Sequence, residues 1–159
     1  MLKLEQEIIE LLRKKGLTLG VTESATGGLI SHIVTNVPGS SEIYKGSVTA
    51  YANQTKTNVL GVKTETLQQY GAVSSRVAEE MALGGCRVLA VDICISDTGI
   101  AGPGGATPDK PVGLFYLGLA HRLTAYSQKH LFPGDREENK EYAARTALGW
   151  LKIYLLNLG

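Results

Sequence analysis

The chain has 159 residues, 43% hydrophobic and 19% charged, a balance that supports one compact domain with a real core and argues against disorder. A net charge of +1 leaves no electrostatic footprint for nucleic acid or an anionic membrane, and no apolar run reaches the length of a membrane span. The two cysteines, Cys86 and Cys94, lack metal-ligand spacing and fit a reduced, cytoplasmic setting.

Leu4, Ile8, Ile9, Leu11 and Leu12 mark a first amphipathic helix, with Gly16 as its stop. A short apolar run, Leu17 to Val21, reads as a buried strand, and a helix from about Gly27 to Val37 follows. Pro38-Gly39-Ser40-Ser41 is a turn, and Tyr44 to Tyr51 has strand-like density of Tyr, Val and Thr. Short helices are predicted over Asn53–Leu60 and Glu65–Tyr70, the second capped by Thr64. Ser74 or Ser75 opens a helix that runs toward Gly84-Gly85, and Val88 to Ser96 is the apolar run of a central strand. A long loop, Asp97 to Pro111, precedes a hairpin of Val112–Ala120 and Thr124–Phe132. A last helix spans Arg136 to Leu158. Helices alternating with strands, then a hairpin, predict an α/β fold: a three-layer α/β/α sandwich with a mixed central sheet, residues 1–159 forming a single domain.

Chemistry concentrates in three segments. Thr22-Glu23-Ser24-Ala25-Thr26-Gly27-Gly28 joins a strand to a helix start, where free backbone N–H groups and the helix dipole can hold an anion or oxyanion. Ser24 there is either a nucleophile or, with Thr26, a helix cap; on these residues alone capping is the simpler reading. Gly99-Ile100-Ala101-Gly102-Pro103-Gly104-Gly105 follows a buried strand, but no helix can start straight after it, which excludes a dinucleotide fingerprint. The absence of a following Gly-Lys-Ser/Thr excludes a P-loop, leaving a rigid loop suited to lining a ligand. In Gly134-Asp135-Arg136, Asp135 is a plausible cap, while Arg136 sits unfavourably in the first turn unless it meets an anion or simply faces solvent. No Ser-His-Asp set is evident, so a nucleophilic serine would need a lysine held neutral. Lys56, one turn beyond Tyr51, can point to the same cleft, although surface lysines are commoner.

These segments, with Tyr51-Ala52-Asn53, Gly71-Ala72-Val73-Ser74 and Lys110-Pro111-Val112-Gly113, together resemble the CinA-type C-terminal domain, the nicotinamide-nucleotide amidase family. The similarity runs in order through nearly the whole chain. It implies hydrolysis of the carboxamide of nicotinamide mononucleotide to nicotinate mononucleotide and ammonia, by a Ser–Lys mechanism without metal or cofactor, usually in a homodimer or higher homo-oligomer. By position, Ser24 would be the nucleophile, Lys56 the base and Tyr51 an assistant in proton transfer. Glu23, Thr26, Gly27, Gly28, Asn53, Ser74, Gly102, Gly104, Gly105 and Arg136 would contact the nucleotide, with backbone N–H groups near Thr26 and Gly27 meeting the oxyanion. The chain departs from the pattern at Ala25 (usually Cys), Ala52 (commonly Ser) and Gln54 (commonly Glu). The family's large N-terminal domain has no counterpart in this sequence, as expected of a free-standing enzyme; were the chain a fragment of a longer protein, the implied amidase chemistry would be the same. Alternatives are a non-catalytic nucleotide-binding regulatory module of the same fold, or an amidase for another phosphorylated amide.

Overall fold

The computed structural model describes residues 1–159. The chain forms helix α1 (Leu4–Lys15), strand β1 (Leu19–Glu23), α2 (Leu29–Thr35), β2 (Tyr44–Thr49), α3 (Asn53–Leu60), α4 (Thr64–Tyr70) and α5 (Ser75–Leu89). Strands β3 (Ile93–Gly99), β4 (Leu114–His121) and β5 (Thr124–Leu131) and helix α6 (Arg136–Asn157) complete it. The sheet order is β2-β1-β3-β4-β5; β2, β1 and β3 are parallel, and β4 and β5 form an antiparallel hairpin against β3. This is the three-layer α/β/α sandwich with a mixed sheet. Helices α1, α2 and α6 cover one face and α3, α4 and α5 the other.

Period-2 burial explains the layers. Along β3, Ile93 and Ile95 enter the main core with Ile8, Leu12, Ile30, Phe115, Leu148 and Leu151, while Cys94 packs with Ala82 and Cys86 of α5. Each such buried aliphatic side chain contributes about 1.5–3 kcal/mol. No helix is long and apolar enough to cross a membrane.

Several boundaries differ from expectation for physical reasons. Helix α2 starts at Leu29 rather than Gly27, because Gly27 and Gly28 take φ of +61° and +102°, outside the helical region. Helix α5 does not stop at Gly84-Gly85. There a Cβ would lie 2.0 Å from the Leu60 carbonyl oxygen and 2.3 Å from the Cys94 sulfur, so the pair is a notch for close packing against α3 and β3. The helix therefore absorbs Val88 and Leu89, and the strand begins at Ile93 rather than Val88. Strand β3 also continues through Gly99, so Asp97 and Thr98 are strand residues rather than loop. Thr64 is the first helical residue of α4, after Lys63 as its cap.

Candidate active site

The carboxyl ends of the three parallel strands converge: β1 ends in Glu23 before Ser24, β2 leads through Ala50 to Tyr51, and β3 ends in Asp97-Thr98-Gly99. Ligands of α/β sheets gather at such ends. A cleft of about 240 Å³ opens there, lined by Ser24, Ala25, Tyr51, Asn53, Lys56, Thr98, Gly102, Gly104, Gly105 and Arg136, with Ala72 and Val73 on one wall. Ser24, Lys56 and Tyr51 thus share one cleft, although they come from different strands and the start of α3.

Lys56 is the most unusual side chain in the molecule: it is only 2% exposed. Its ammonium nitrogen reaches one acceptor, the Tyr51 carbonyl oxygen at 3.3 Å. Burial lowers its pKa from 10.5, and the Asp97 carboxylate opposes that shift. An amine kept uncharged by desolvation is what a lysine needs to accept a proton near neutral pH.

The Ser24 turn is held from beneath by Asp97, which is fully buried. Its carboxyl accepts from Ser24 N (3.0 Å) and Thr26 N (3.1 Å) and contacts the Thr26 hydroxyl. Burial pushes this carboxyl up to about 6, against the relief those hydrogen bonds give. Asp97 is a site residue that sequence reasoning missed. Its signal was an acidic residue closing an apolar run that otherwise reads as core.

The oxyanion expectation changes in the same turn. The Thr26 N–H is spent on Asp97 and the Gly27 N–H on the Ser24 carbonyl at 3.1 Å. Ala25, which lines the cleft, keeps a backbone N–H with no partner in the chain. Gly102, Gly104 and Gly105 also line the cleft, and their N–H groups are likewise without a partner in the chain.

Arg136, at the first turn of α6, donates to the Gly102 carbonyl at 2.7 Å and to the Tyr51 hydroxyl at 3.0 Å, bridging both rims of the cleft. Asp135 and Glu138 form the capping box that fixes this helix start. Buried Asn139, one turn on, donates to the carbonyls of Ala101 and Gly134 (3.0 and 2.9 Å) and accepts from Gly134 N, pinning the glycine loop to α6. The Thr98 hydroxyl donates to the Ala72 carbonyl at 2.7 Å and so fixes the facing wall. Asn139 did not stand out in the sequence, because it acts through tertiary contacts; Thr98 belongs to the glycine-loop block of the family resemblance, but this contact was not foreseen.

Five expected nucleotide contacts lie elsewhere. Glu23 is fully buried and accepts from Ile30 N, Ser31 N and the hydroxyls of Ser31 and Thr26, so it clamps the first turn of α2. Ser74 caps α5 by accepting from Val77 N at 3.3 Å. Thr26, Gly27 and Gly28 face a separate surface groove beside His32 and Lys140.

Comparison with known proteins agrees with this architecture. Residues 1–155 match the model of the CinA C-terminal domain. The chain belongs to the CinA C-terminal domain family. It is 47% identical over 154 residues to a putative competence-damage inducible protein of Caldicellulosiruptor saccharolyticus, covering 97% of this chain and 38% of that one. A CinA-like protein of Dictyoglomus thermophilum is 47% identical over 155 residues, covering 98% and 38%. The chain therefore spans well under half the length of these CinA relatives. Among solved structures, a CinA superfamily protein of Klebsiella pneumoniae superposes with a TM-score of 0.94 at 30% identity, covering 98% of this chain and 97% of that one. The competence/damage inducible protein CihA of Agrobacterium tumefaciens gives 0.92 at 37% identity, covering 97% and 94%.

Proposed function

We propose that this CinA-type domain is a Ser–Lys amidohydrolase that deamidates nicotinamide mononucleotide to nicotinate mononucleotide and ammonia. The observation that carries the reading is the buried Lys56, desolvated in the same cleft as Ser24. A structural lysine has little reason to be buried without a carboxylate in hydrogen-bond contact.

The chemistry follows from the groups present. Lys56 takes the Ser24 hydroxyl proton as Oγ attacks the carboxamide carbon. The Ala25 N–H faces the developing oxyanion. As the C–N bond breaks, Lys56 returns the proton to the departing nitrogen, which leaves as ammonia, and Ser24 carries a nicotinoyl ester. Water, deprotonated by Lys56, then cleaves the ester and restores Ser24. Tyr51 meets the Lys56 amine through its backbone carbonyl, while its hydroxyl, held by Arg136, assists proton transfer from the rim of the cleft. Arg136 and the free N–H groups of the glycine loop hold the phosphate and ribose, with Asn53 at the mouth. Self-association into a homodimer or larger homo-oligomer in the cytoplasm belongs to the same proposal.

Incubation of the pure protein with nicotinamide mononucleotide should release ammonia and nicotinate mononucleotide in equal amounts. Comparison with the riboside and the dinucleotide tests the phosphate contact, and equal rates on all three would remove it. Binding without release above a Ser24→Ala control would instead favour a nucleotide-binding regulatory module.

A further inference from the structure

Beneath the Ser24 turn, two carboxyl groups meet one hydroxyl. The Thr26 Oγ1 lies 2.7 Å from Glu23 Oε1 and also makes a short contact with Asp97 Oδ1. All three residues are buried. A hydroxyl carries one hydrogen and can donate it once. With both carboxyls ionised, one of these short oxygen–oxygen contacts would be lone pair against lone pair in a dry site, which is strongly unfavourable.

We infer that a single proton rests on Asp97 Oδ1, donated to Thr26 Oγ1, whose own hydrogen is donated to Glu23. Glu23 is the member of the pair built as the acceptor. Apart from Thr26 it receives Ile30 N (2.8 Å), Ser31 N (3.2 Å) and Ser31 Oγ (2.6 Å), all from the first turn of α2. Asp97 receives only the Ser24 and Thr26 amides. Two titratable groups bear on it: Glu23 from β1, which disfavours its anion, and Lys56 from α3. Burial already lifts Asp97 to about 6 with the Thr26 hydroxyl donating to it; a hydroxyl committed to Glu23 withdraws that relief.

The proton's placement stands on the hydrogen-bond geometry. Its consequence for Lys56 rests on the proposed amidase reading. A neutral Asp97 does not hold Lys56 as an ammonium, so desolvation decides and the amine is free to take the serine proton. Asp97 is in this sense a positioning residue: it fixes the nucleophile's turn without touching the substrate, and it leaves the base uncharged.

Infrared spectra of the folded protein, taken without substrate, test the placement apart from any activity. At pH 7 the wild type should show a protonated-carboxyl C=O band that is absent from Asp97→Asn. That band should change frequency in Thr26→Val and return in Thr26→Ser. Carbon-13 labelling of the aspartate carboxyls gives the same answer without a variant. One of the aspartate resonances should report a protonated carboxyl at pH 7. A wild type with every aspartate ionised at pH 7, or a band that survives Asp97→Asn and disappears in Glu23→Gln, would overturn the inference.

Discussion

Replacing Glu23 with alanine separates two readings of one residue. By sequence resemblance it contacts the nucleotide; in the fold it closes the start of α2. Its carboxylate accepts four hydrogen bonds at 2.6–3.2 Å, two from backbone N–H groups and two from hydroxyls. The hydroxyls of Ser31 and Thr26 can turn to other acceptors, but the N–H groups of Ile30 and Ser31 cannot. Each orphaned donor costs about 1–3 kcal/mol, so Glu23→Ala should destabilise the protein by about 4 kcal/mol in all. For a domain of this size that corresponds to a fall in Tm of about 8–16 °C. Glu23→Gln keeps one acceptor oxygen and should lose roughly half as much. Urea and thermal unfolding read the effect directly, alongside KM for nicotinamide mononucleotide. A stability loss under about 1 kcal/mol together with a raised KM would refute the clamp and restore the contact role.

Other expectations follow from the site. Lys56→Met matches the lysine stem and removes only the amine; the fold should be as stable or more so, while ammonia release falls about 10²–10⁴-fold. Undiminished turnover would remove Lys56 from the base role. Because burial lowers the Lys56 pKa, the acid limb of wild-type kcat/KM should lie below the usual lysine range, with activity rising as pH rises through it. Arg136→Ala frees both rims of the cleft and should raise KM about tenfold, near 1.4 kcal/mol, with a smaller effect on kcat. Asp97 has a pKa raised from 3.8 to about 6, so the folded state binds its proton more tightly and wild-type stability falls as pH rises through that window. Asp97→Asn does not titrate. Its stability relative to wild type should therefore improve by at least about 2 kcal/mol between pH 4 and 8, as denaturant unfolding at each pH will show.

The layers were legible because they rest on local signals. Apolar runs bounded by Gly16, Pro38-Gly39 and Pro133-Gly134 carry the strand and helix order without any tertiary information. Gly84-Gly85 misled for an instructive reason: glycine also serves close packing, and its distance from the Leu60 carbonyl is a property of the assembled fold. Ser24, Tyr51, Lys56 and Arg136 could be picked out by their order along the chain, and the fold gathers them at one cleft. Glu23 and Asp97 show the limit. Both are acidic residues at the ends of apolar strands, and only the path of the chain reveals that each faces inward to a backbone turn. Asn139 reads as an ordinary polar residue on a helix until the glycine loop is folded onto it.

Attack of Ser24 on the carboxamide with Lys56 as base would pass through a covalent ester. Acid-quenching the enzyme during turnover of nicotinamide mononucleotide and measuring intact and peptide masses tests it most directly. A nicotinoyl mononucleotide ester should appear on the peptide containing Ser24 and be absent from Ser24→Ala, which should release no ammonia. Ammonia release that persists in Ser24→Ala, with no adduct on the wild type, would contradict it.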